Sequence, residues 1–195
     1  MAVLIGICGK MGSGKDYIAS KYIIPFLQSK SIKCLQLSSA DQIKVNIMAK
    51  TNVSFNEAYL EKNQKTRQLL QHEGTENGRN IQGKDIWIKY FEAWHMVLAS
   101  RGIDAIITSD VRFKNEMEYI KNKKGLLIKV VAPNRNKTRL ENESQHNIEV
   151  YKKIASHASE CELDDVDENS YDLVIRNDYN DKVDEKNLYD ILNKL

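Results

Sequence analysis

The stretch Gly9-Lys10-Met11-Gly12-Ser13-Gly14-Lys15-Asp16 decides the fold of this chain. Its three glycines let the backbone turn tightly, so that successive amide N–H groups point at one anion, and the following helix adds the positive end of its dipole. Lys15 then reaches the terminal phosphates. An apolar strand pattern at 2–8 and helical spacing at 16–24 flank the loop, as this motif requires. The pattern predicts a nucleoside triphosphate site that includes every residue of the stretch.

Length and cysteine content bound the class of protein. A chain of 195 residues fits one domain that buries about 70% of its unfolded surface. The cysteines Cys8, Cys34 and Cys161 are odd in number and widely spaced, which predicts reduced thiols in a cytoplasmic protein without a disulfide or zinc framework. No apolar run approaches the ~18 residues of a membrane span, and no basic leader precedes the first strand. We therefore expect no membrane partner.

The charge is unevenly distributed along the chain. The net charge is +2, but residues 159–195 carry −8 and residues 1–158 carry +10. A basic face attracts nucleic acid or a small polyphosphate. The second partner is favoured over nucleic acid, because no basic stripe rich in aromatic residues indicates a groove for stacked bases.

Strand and helix patterns alternate along the chain. Strands are predicted at 2–8, 33–38, 104–109, 125–131 and 172–176, and helices at 14–29, 40–50, 55–72, 84–101, 113–122, 135–155 and 182–194. Alternation predicts an α/β fold with a five-stranded, mainly parallel sheet between two helical layers, and with ligands at the carboxyl ends of its strands.

Two intervals between the strands are too long for simple crossovers. Residues 40–101 are predicted to form a helical insert beside the sheet that grips a second substrate, and residues 134–163 a basic lid. The rest of the single domain forms the core, which comprises residues 1–39, 102–133 and 164–195. Two helical inserts beside a phosphate loop are typical of a kinase that closes over two nucleotides.

Asp110 and Arg112 stand at the end of the third strand. An apolar strand that ends in a carboxylate is typical of the Walker B pattern, whose Asp binds Mg²⁺ directly or through water. Arg112, two residues further on, is predicted to face the phosphates. The alternative for Asp110 is a cap of the next helix at 113–122.

Arg135 and Arg139 lie four residues apart, so that one helical face presents both after Pro133-Asn134 starts the helix. Guanidinium groups spaced in this way suit phosphate oxygens, and such arginines are worth about 10³ to 10⁵ in the rate of phosphoryl transfer. The alternative is an ordinary ion pair of Arg139 with Glu143 on a solvated face.

The polar segment 67–79 ends an amphipathic helix and contains two arginines, carboxylates and amides, which suits a site for a monophosphate and its base. A solvated helix terminus would look similar. Ser38-Ser39-Ala40-Asp41, with Lys44 one turn later, leaves the second strand at the ligand edge of the sheet, where a helix cap is the alternative. Trp87, Trp94 and His95 recur at helical intervals and are typical of packing. His157 follows the basic helix and is retained as a candidate.

In combination, these motifs resemble the deoxynucleoside monophosphate kinases of large DNA phages and viruses, over residues 3–178. The motifs are Gly9-to-Asp16, Ala40-Asp41-x-x-Lys44, Arg67-x-Leu69-Leu70-Gln71-x-x-Gly74-Thr75-Glu76 with Arg79, Asp85-x-Trp87, Ser109-Asp110-Val111-Arg112-Phe113-x-Asn115-Glu116 and His157-x-Ser159-Glu160. Asp16 replaces the usual Ser or Thr of the loop, and this departure agrees with the family.

The resemblance implies a P-loop kinase that transfers the γ-phosphoryl group of ATP to a deoxynucleoside monophosphate (dNMP) with Mg²⁺, and a homodimer is expected from it alone. Lys15 would neutralise the transferred group, and Asp16 and Asp110 would act near the metal. Asn177 would lie beside the adenine of ATP. The implied catalytic residues are Lys15, Asp16, Arg112, Arg135 and Arg139. The implied acceptor contacts are Ala40, Asp41, Lys44, Arg67, Gln71, Gly74, Thr75, Glu76, Arg79, Asp85, Trp87, Asp110 and Arg112.

Three other functions compete with this interpretation. Phosphomevalonate kinase of the animal type resembles the chain in its Gly-Lys-Asp loop ending. Its acceptor carries no base, whereas the amides and carboxylates of 71–79 favour an acceptor that has one, a nucleotide. A regulatory module would bind ATP without an acceptor. A nucleic-acid-binding protein would show oligonucleotide binding with a steep salt dependence.

Overall fold

The computed structural model describes residues 2–61, 63–145 and 147–195, and a sheet of five strands lies at its centre. The strand order is β2-β3-β1-β4-β5, and every neighbouring pair is parallel. The strands are β1 (Val3–Cys8), β2 (Cys34–Gln36), β3 (Ala105–Val111), β4 (Leu126–Val131) and β5 (Leu173–Arg176). The predicted five-stranded parallel sheet is confirmed.

Helices cover both faces of the sheet, because the strands are apolar on both sides. One face packs against the helix that follows the loop and against α10 (Glu185–Leu192). The other packs against α5 (Ile86–Ser100) and α6 (Lys114–Asn122). The three-layer α/β/α architecture is therefore confirmed.

The helix after the loop is continuous over the predicted range but changes its winding. It consists of α1 (Lys15–Ile18), a π-helical turn (Ala19–Ile23) and α2 (Ile24–Ser29). Pro25, near the start of α2, has no N–H to donate, and its ring would clash with the carbonyl four residues earlier. The wider π turn before Pro25 accommodates this residue without ending the helix.

The helical insert lies between β2 and β3. It comprises α3 (Ser39–Lys50), a π turn (Asn56–Leu60), α4 (Gln64–Gln71), a π-helical segment (His72–Asn80) and α5. Trp87 is buried in this insert, where its indole N–H donates to the carbonyl of Gly74 (2.7 Å) and its ring packs against Gly78. Glu73, also buried, accepts from Lys50 (2.6 Å). The insert therefore has a small interior of its own.

The predicted lid contains three short helices where the sequence predicts one helix over 135–155. They are α7 (Pro133–Glu143), α8 (Ile148–Ala155) and α9 (Ala158–Cys161). The side chain of Asn147 accepts from the amides of Glu149 and Val150 and so starts α8 as a separate helix. A 3₁₀ turn (Glu168–Ser170) precedes β5. None of the helices in the described ranges combines the length and the apolar composition of a membrane span.

The two tryptophans of α5 give a matched test of the insert. We expect Trp87→Phe to lower the free energy of unfolding by about 2–3 kcal/mol, because the buried carbonyl of Gly74 loses its donor and a void forms. Trp94 is 43% exposed and donates to Gln42, so Trp94→Phe should cost less than about 1 kcal/mol. Urea unfolding followed by circular dichroism measures both values, and equal losses would contradict the assigned interior.

Candidate active site

The loop after β1 has the backbone geometry that its glycines permit. Gly9 and Gly12 have φ angles of +148° and +80°, which residues other than glycine rarely adopt. A Cβ atom at Gly9 would lie 2.5 Å from the carbonyl oxygen of Val130, and one at Gly12 would lie 2.6 Å from the Cβ of Arg139. The loop therefore packs directly against β4 and against α7.

Lys15 lies at the centre of the loop and is 7% exposed. Its ammonium donates to the carbonyls of Gly9 (2.7 Å) and Lys10 (2.9 Å). Burial, and then the nearby Arg112, lowers the pKa of Lys15 to about 8, against the opposing effect of acidic neighbours. The loop thus contains a desolvated cation, as a phosphate-binding site requires.

The carboxylate of Asp16 sits at the first turn of α1. Its Oδ1 atom accepts from the side-chain amide of Gln36 (3.0 Å) and from the hydroxyl of Ser109. The same side-chain amide of Gln36 also donates to the hydroxyl of Ser109 (2.6 Å). Gln36 ends β2 and Ser109 lies in β3. The sequence analysis assigned no role to either residue, and only their shared position at the ligand edge could have indicated one.

Asp110 occupies a different position from Asp16. It accepts from the backbone N–H groups of Ser39 and Ala40 and from the hydroxyls of Ser38, Ser39 and Thr108. Its carboxylate therefore lies at the N-terminus of α3. The alternative prediction, a cap of the helix at 113–122, is wrong, because β3 continues through Val111 and Glu116 binds the amides at the start of α6.

Glu116 is a buried carboxylate between β3 and α6. Its Oε2 atom accepts from the amides of Arg112 (2.8 Å) and Phe113 (3.1 Å). Burial and the neighbouring Asp110 raise the pKa of Glu116 to about 7, although those two amides and Arg79 oppose the rise. Glu116 is therefore a buried acid below the candidate site that titrates near neutral pH.

Arg112 joins the core to the predicted lid. Its guanidinium pairs with Glu160 and donates to the carbonyl of Ser159 (3.2 Å). The other oxygen of Glu160 accepts from the loop amide of Met11 (2.9 Å). Glu160 thus binds two groups that were predicted to bind phosphates. His157 starts the same helix, α9, by accepting from the amide of Ser159, and its position is that of a cap.

Arg67 and Arg139 share one acid. Glu143 accepts from Arg67 (2.9 Å) and from Arg139 (2.5 Å), and only 17% of its side chain is exposed. The alternative prediction, that Arg139 pairs with Glu143, is confirmed: Arg139 is half exposed, whereas Glu143 is mostly shielded from solvent. Arg67 comes from α4, so the pair joins the insert to the predicted lid.

Arg79 lies flat on an aromatic ring. Its guanidinium carbon is 3.6 Å from the centre of the Phe113 ring, and the guanidinium donates to Asn115 (3.2 Å). Asn115 in turn donates to Asp85 (2.7 Å). This arrangement orients Arg79 and leaves several of its N–H groups for another acceptor.

The N-terminal turn of α3 holds another charged group. Lys44 donates to Asp41 (2.8 Å), and its ammonium lies 4.2 Å from the centre of the Tyr59 ring. Burial and the neighbouring Asp41 raise the pKa of the Tyr59 hydroxyl to about 12. Asp41 also accepts from the amide of Ser38, so it closes the cap of α3.

The remaining predicted acceptor contacts of the insert, in the segment 67–79 and at Trp87, divide into two groups. Gly74 and Trp87 are buried against each other and serve the interior of the insert. Gln71, Thr75 and Glu76 lie at or near the surface, and Glu76 faces His72 (3.0 Å). Within this segment, Arg67 therefore contacts the predicted lid and Arg79 contacts the core, but the structure does not bring the whole segment to one site.

Asn177 and Arg135 lie where β5 meets the loop. Asn177 is buried and donates to the carbonyl of Ser13 (2.8 Å), while Arg135 donates to the carbonyl of Asn177 (3.3 Å). Asp178 accepts from the amides of Asn134 and Arg135 and so caps α7. The guanidinium of Arg135 lies 5.9 Å from the centre of the exposed Tyr179 ring. This distance is that of a direct cation–π pair.

A cavity of about 390 Å³ opens beside the loop, between β4 and the predicted lid. Of the predicted site residues, Gly9, Lys10 and Arg112 line it, together with Lys129 and Tyr171. The ammonium of Lys129 lies 5.1 Å from the centre of the Tyr171 ring. The lining therefore places cations beside the loop on the side away from the insert.

Protein groups alone do not form a dedicated metal cage in the described part of the chain. No group of three or more His, Cys, Asp or Glu side chains converges there as a metal site would require.

His95 is buried in the core, where its Nε2 donates to the carbonyl of Ala2 (2.7 Å), as the packing interpretation predicts.

The sequence of the chain matches a protein family and is similar to a viral protein. The model of a family described as "Deoxynucleotide monophosphate kinase" matches residues 21–180. A protein of Acanthamoeba polyphaga mimivirus, described as "Putative deoxynucleotide monophosphate kinase", is 32% identical over 197 residues, which cover 90% of this chain and 88% of that protein. The family match begins after the loop at 9–16, so the loop is a separate observation.

Solved structures support the fold. The chain is similar to TT1252 from Thermus thermophilus, with a TM-score of 0.56 and 17% identity over 100% of this chain and 98% of that one. Shikimate kinase from Aquifex aeolicus has a TM-score of 0.43 and 14% identity, over 98% and 95% of the two chains. At these identities the first likeness bears on the fold and on nothing finer.

The raised pKa of Glu116 predicts a pH dependence of stability. Between pH 4.5 and about 7 the folded state keeps a proton that the unfolded state releases, so this group makes the free energy of unfolding fall as the pH rises. Glu116→Gln removes this effect. We expect the stability of the variant relative to the wild type to increase from pH 4.5 to pH 7.5, by up to about 3 kcal/mol.

Urea unfolding at the two pH values measures this change. Glu118→Gln, an exposed position on the same helix, is the matched control and should keep a constant offset from the wild type. A constant offset for Glu116→Gln as well would contradict the assigned protonation of Glu116.

Proposed function

Since the chain belongs to the deoxynucleotide monophosphate kinase family, we propose that it transfers the γ-phosphoryl group of ATP to a deoxynucleoside 5′-monophosphate, giving dNDP and ADP, with Mg²⁺. One observation carries the proposal beyond the family. Two glutamates hold three arginines from three parts of the chain. Arg67 and Arg139 share Glu143. Arg112 pairs with Glu160, which also accepts from the loop amide of Met11. Phosphoryl transfer between two nucleotides needs such a concentration of donors.

The loop is the proposed ATP site. Its amides and Lys15 would bind the β- and γ-phosphates, with Lys10, Met11 and Ser13 contributing backbone groups. The adenine would lie against Asn177, beside Arg135 and the exposed ring of Tyr179. Arg135 therefore belongs with the base in this proposal, whereas Arg139, which packs on Gly12, belongs with the phosphates.

The residues at the loop fit a Mg²⁺ ion that is bound mostly by phosphates and water. Such an ion needs one or two carboxylates from the protein. Asp16, oriented by Gln36 and Ser109, offers one at the first turn after the loop. Asp110 is fully engaged at the start of α3, so we propose that it positions the insert beside the metal site and that Asp16 is the carboxylate nearest the ion. The ion would neutralise charge on the transferred group.

The acceptor is proposed to lie between the insert and the core. Arg67, Arg79 and Arg112 would bind its phosphate, while the ring of Phe113 keeps Arg79 planar and oriented. Lys44 and Asp41 offer further polar groups at the end of β2. A monophosphate is already ionised at neutral pH, so its attack needs no general base and depends on positioning and charge neutralisation.

Binding of phosphates at this site requires an exchange of partners. Glu160 occupies Arg112 and the amide of Met11, both of which the proposal assigns to phosphates. Phosphate oxygens would compete with this carboxylate for the same donors. The predicted lid would thereby respond to nucleotide, because Glu160 lies on its last helix.

A panel of acceptors tests the proposed reaction. With ATP and Mg²⁺ present, we expect ADP formation that depends on at least one of the dNMPs and is absent without an acceptor. Phosphomevalonate serves as the competing acceptor, since its kinase shares the Gly-Lys-Asp ending. ADP formation with phosphomevalonate and with no dNMP would overturn the proposal, and so would ATP binding with no acceptor-dependent turnover.

Lys15→Ala separates the site from the fold. We expect kcat to fall by about 10³-fold, because a preorganised donor to the transferred group is lost. The free energy of unfolding should not fall by more than about 1 kcal/mol, because the lowered pKa of the buried ammonium means that its charge costs stability, which offsets the two lost hydrogen bonds to carbonyls. Lys21→Ala, an exposed position on the same helix, is the control. Retained turnover in Lys15→Ala would refute the assignment.

A further inference from the structure

A single carboxylate connects the helical insert to the predicted lid. Oε1 of Glu143, at the end of α7, accepts from Arg139 one turn earlier and from Arg67 on α4, which lies 76 residues away in the chain. Within the described ranges, no other hydrogen bond or ion pair joins α4 to α7. The insert and the lid therefore meet through this Arg67–Glu143–Arg139 bridge.

The bridge solves an electrostatic problem. Two guanidinium groups that approach one site repel each other, and the repulsion is weakly screened where the groups are partly buried. The side chains of Arg67 and Glu143 are 33% and 17% exposed and so partly shielded from solvent, whereas Arg139 is 49% exposed. One carboxylate between the two cations removes the repulsion, leaves a net charge of +1 and keeps most of the N–H groups available.

The bridge lies against the phosphate loop. The position that a Cβ atom would take at Gly12 is 2.6 Å from the Cβ of Arg139, so α7 rests on the loop at this residue. Arg139 is thereby fixed beside the loop, and Glu143 fixes Arg67 relative to Arg139. An arginine of the insert is thus held at a defined place with respect to the phosphates.

We propose that Glu143 is a positioning residue for phosphoryl transfer, which holds Arg67 of the insert and Arg139 of the lid as a pair over the loop. This inference rests on the proposed function, since it assumes that Arg67 binds the phosphate of the acceptor and Arg139 binds the phosphates of ATP. Glu143 itself does not touch the substrates. Its charge lets the two cations occupy one site, and its contact with α4 makes closure of the insert depend on the lid.

The kinetic test uses Glu143→Gln, which keeps the size of the side chain and removes its charge. We expect kcat to fall about 10-fold to 100-fold, because the arginines lose their alignment, with a change in the KM for ATP of less than about 3-fold. Glu143→Asp keeps the charge and should recover part of kcat. Glu141→Gln, which removes a charge from the same helix outside the bridge, should leave kcat unchanged.

A double-mutant cycle shows whether Glu143 acts through Arg67. We expect Glu143→Gln to slow the Arg67→Ala variant by a smaller factor than it slows the wild type, because only Arg139 is then left for the carboxylate to position. Multiplicative losses would overturn the proposal. So would a Glu143→Gln variant with a lower Tm and a kcat within about 2-fold of the wild type, since that is the result of a merely structural role.

A distance measurement tests the bridge independently of activity. Spin labels on Gln68→Cys and Asn142→Cys, both exposed, report the separation of α4 and α7 in a Cys161→Ser background. We expect Glu143→Gln to broaden the distance distribution and Glu141→Gln to leave it unchanged. An unchanged distribution in Glu143→Gln would overturn the bridge. If the wild type phosphorylates no dNMP, the proposed function fails while this measurement still decides whether Glu143 joins insert and lid.

Discussion

Concentrated positive charge at the phosphate loop is the constraint on which the rest of the structure depends. The buried ammonium of Lys15 lies in the loop, and Arg112 of the core shares an acid with a loop amide. Arg139 of the predicted lid packs on Gly12 and is paired through an acid with Arg67 of the insert, so the mutual repulsion of these cations must be balanced. Carboxylates supply the balance: Glu160 binds Arg112 and a loop amide, and Glu143 binds the other two arginines. These acids come from the predicted lid, so the arrangement that neutralises the loop also determines where the lid rests.

The fold could be predicted because its signals are local. Apolar runs of four to seven residues predict the strands, and the loop fixes the helix that follows β1. The boundaries that failed have local causes as well, such as Asn147, whose side chain starts a separate helix inside the predicted lid. Asp110 was predicted as a Walker B carboxylate from its place at a strand end, but the sequence does not show that α3 begins beside it.

The partners within the site could not be predicted, because they lie far apart in the chain. Gln36 and Ser109 meet Asp16 only through the order of the strands, and Glu160 reaches the loop across 149 residues. The sequence indicated which residue types gather at the sheet edge but not which acid pairs with which cation. Trp87 shows the reverse case. Its spacing predicts packing and the family resemblance suggests an acceptor contact, and the structure places it inside the insert.

The most direct measurement of the central claim follows the phosphoryl group itself. Wild-type protein is incubated with Mg²⁺, ATP labelled in its γ-phosphate and an unlabelled dNMP, and the labelled products are separated. The proposed arrangement of Lys15 and the linked arginines predicts label in the β-phosphate of the dNDP and little in free phosphate. Label only in free phosphate, or retained in ATP, with every dNMP would contradict the account.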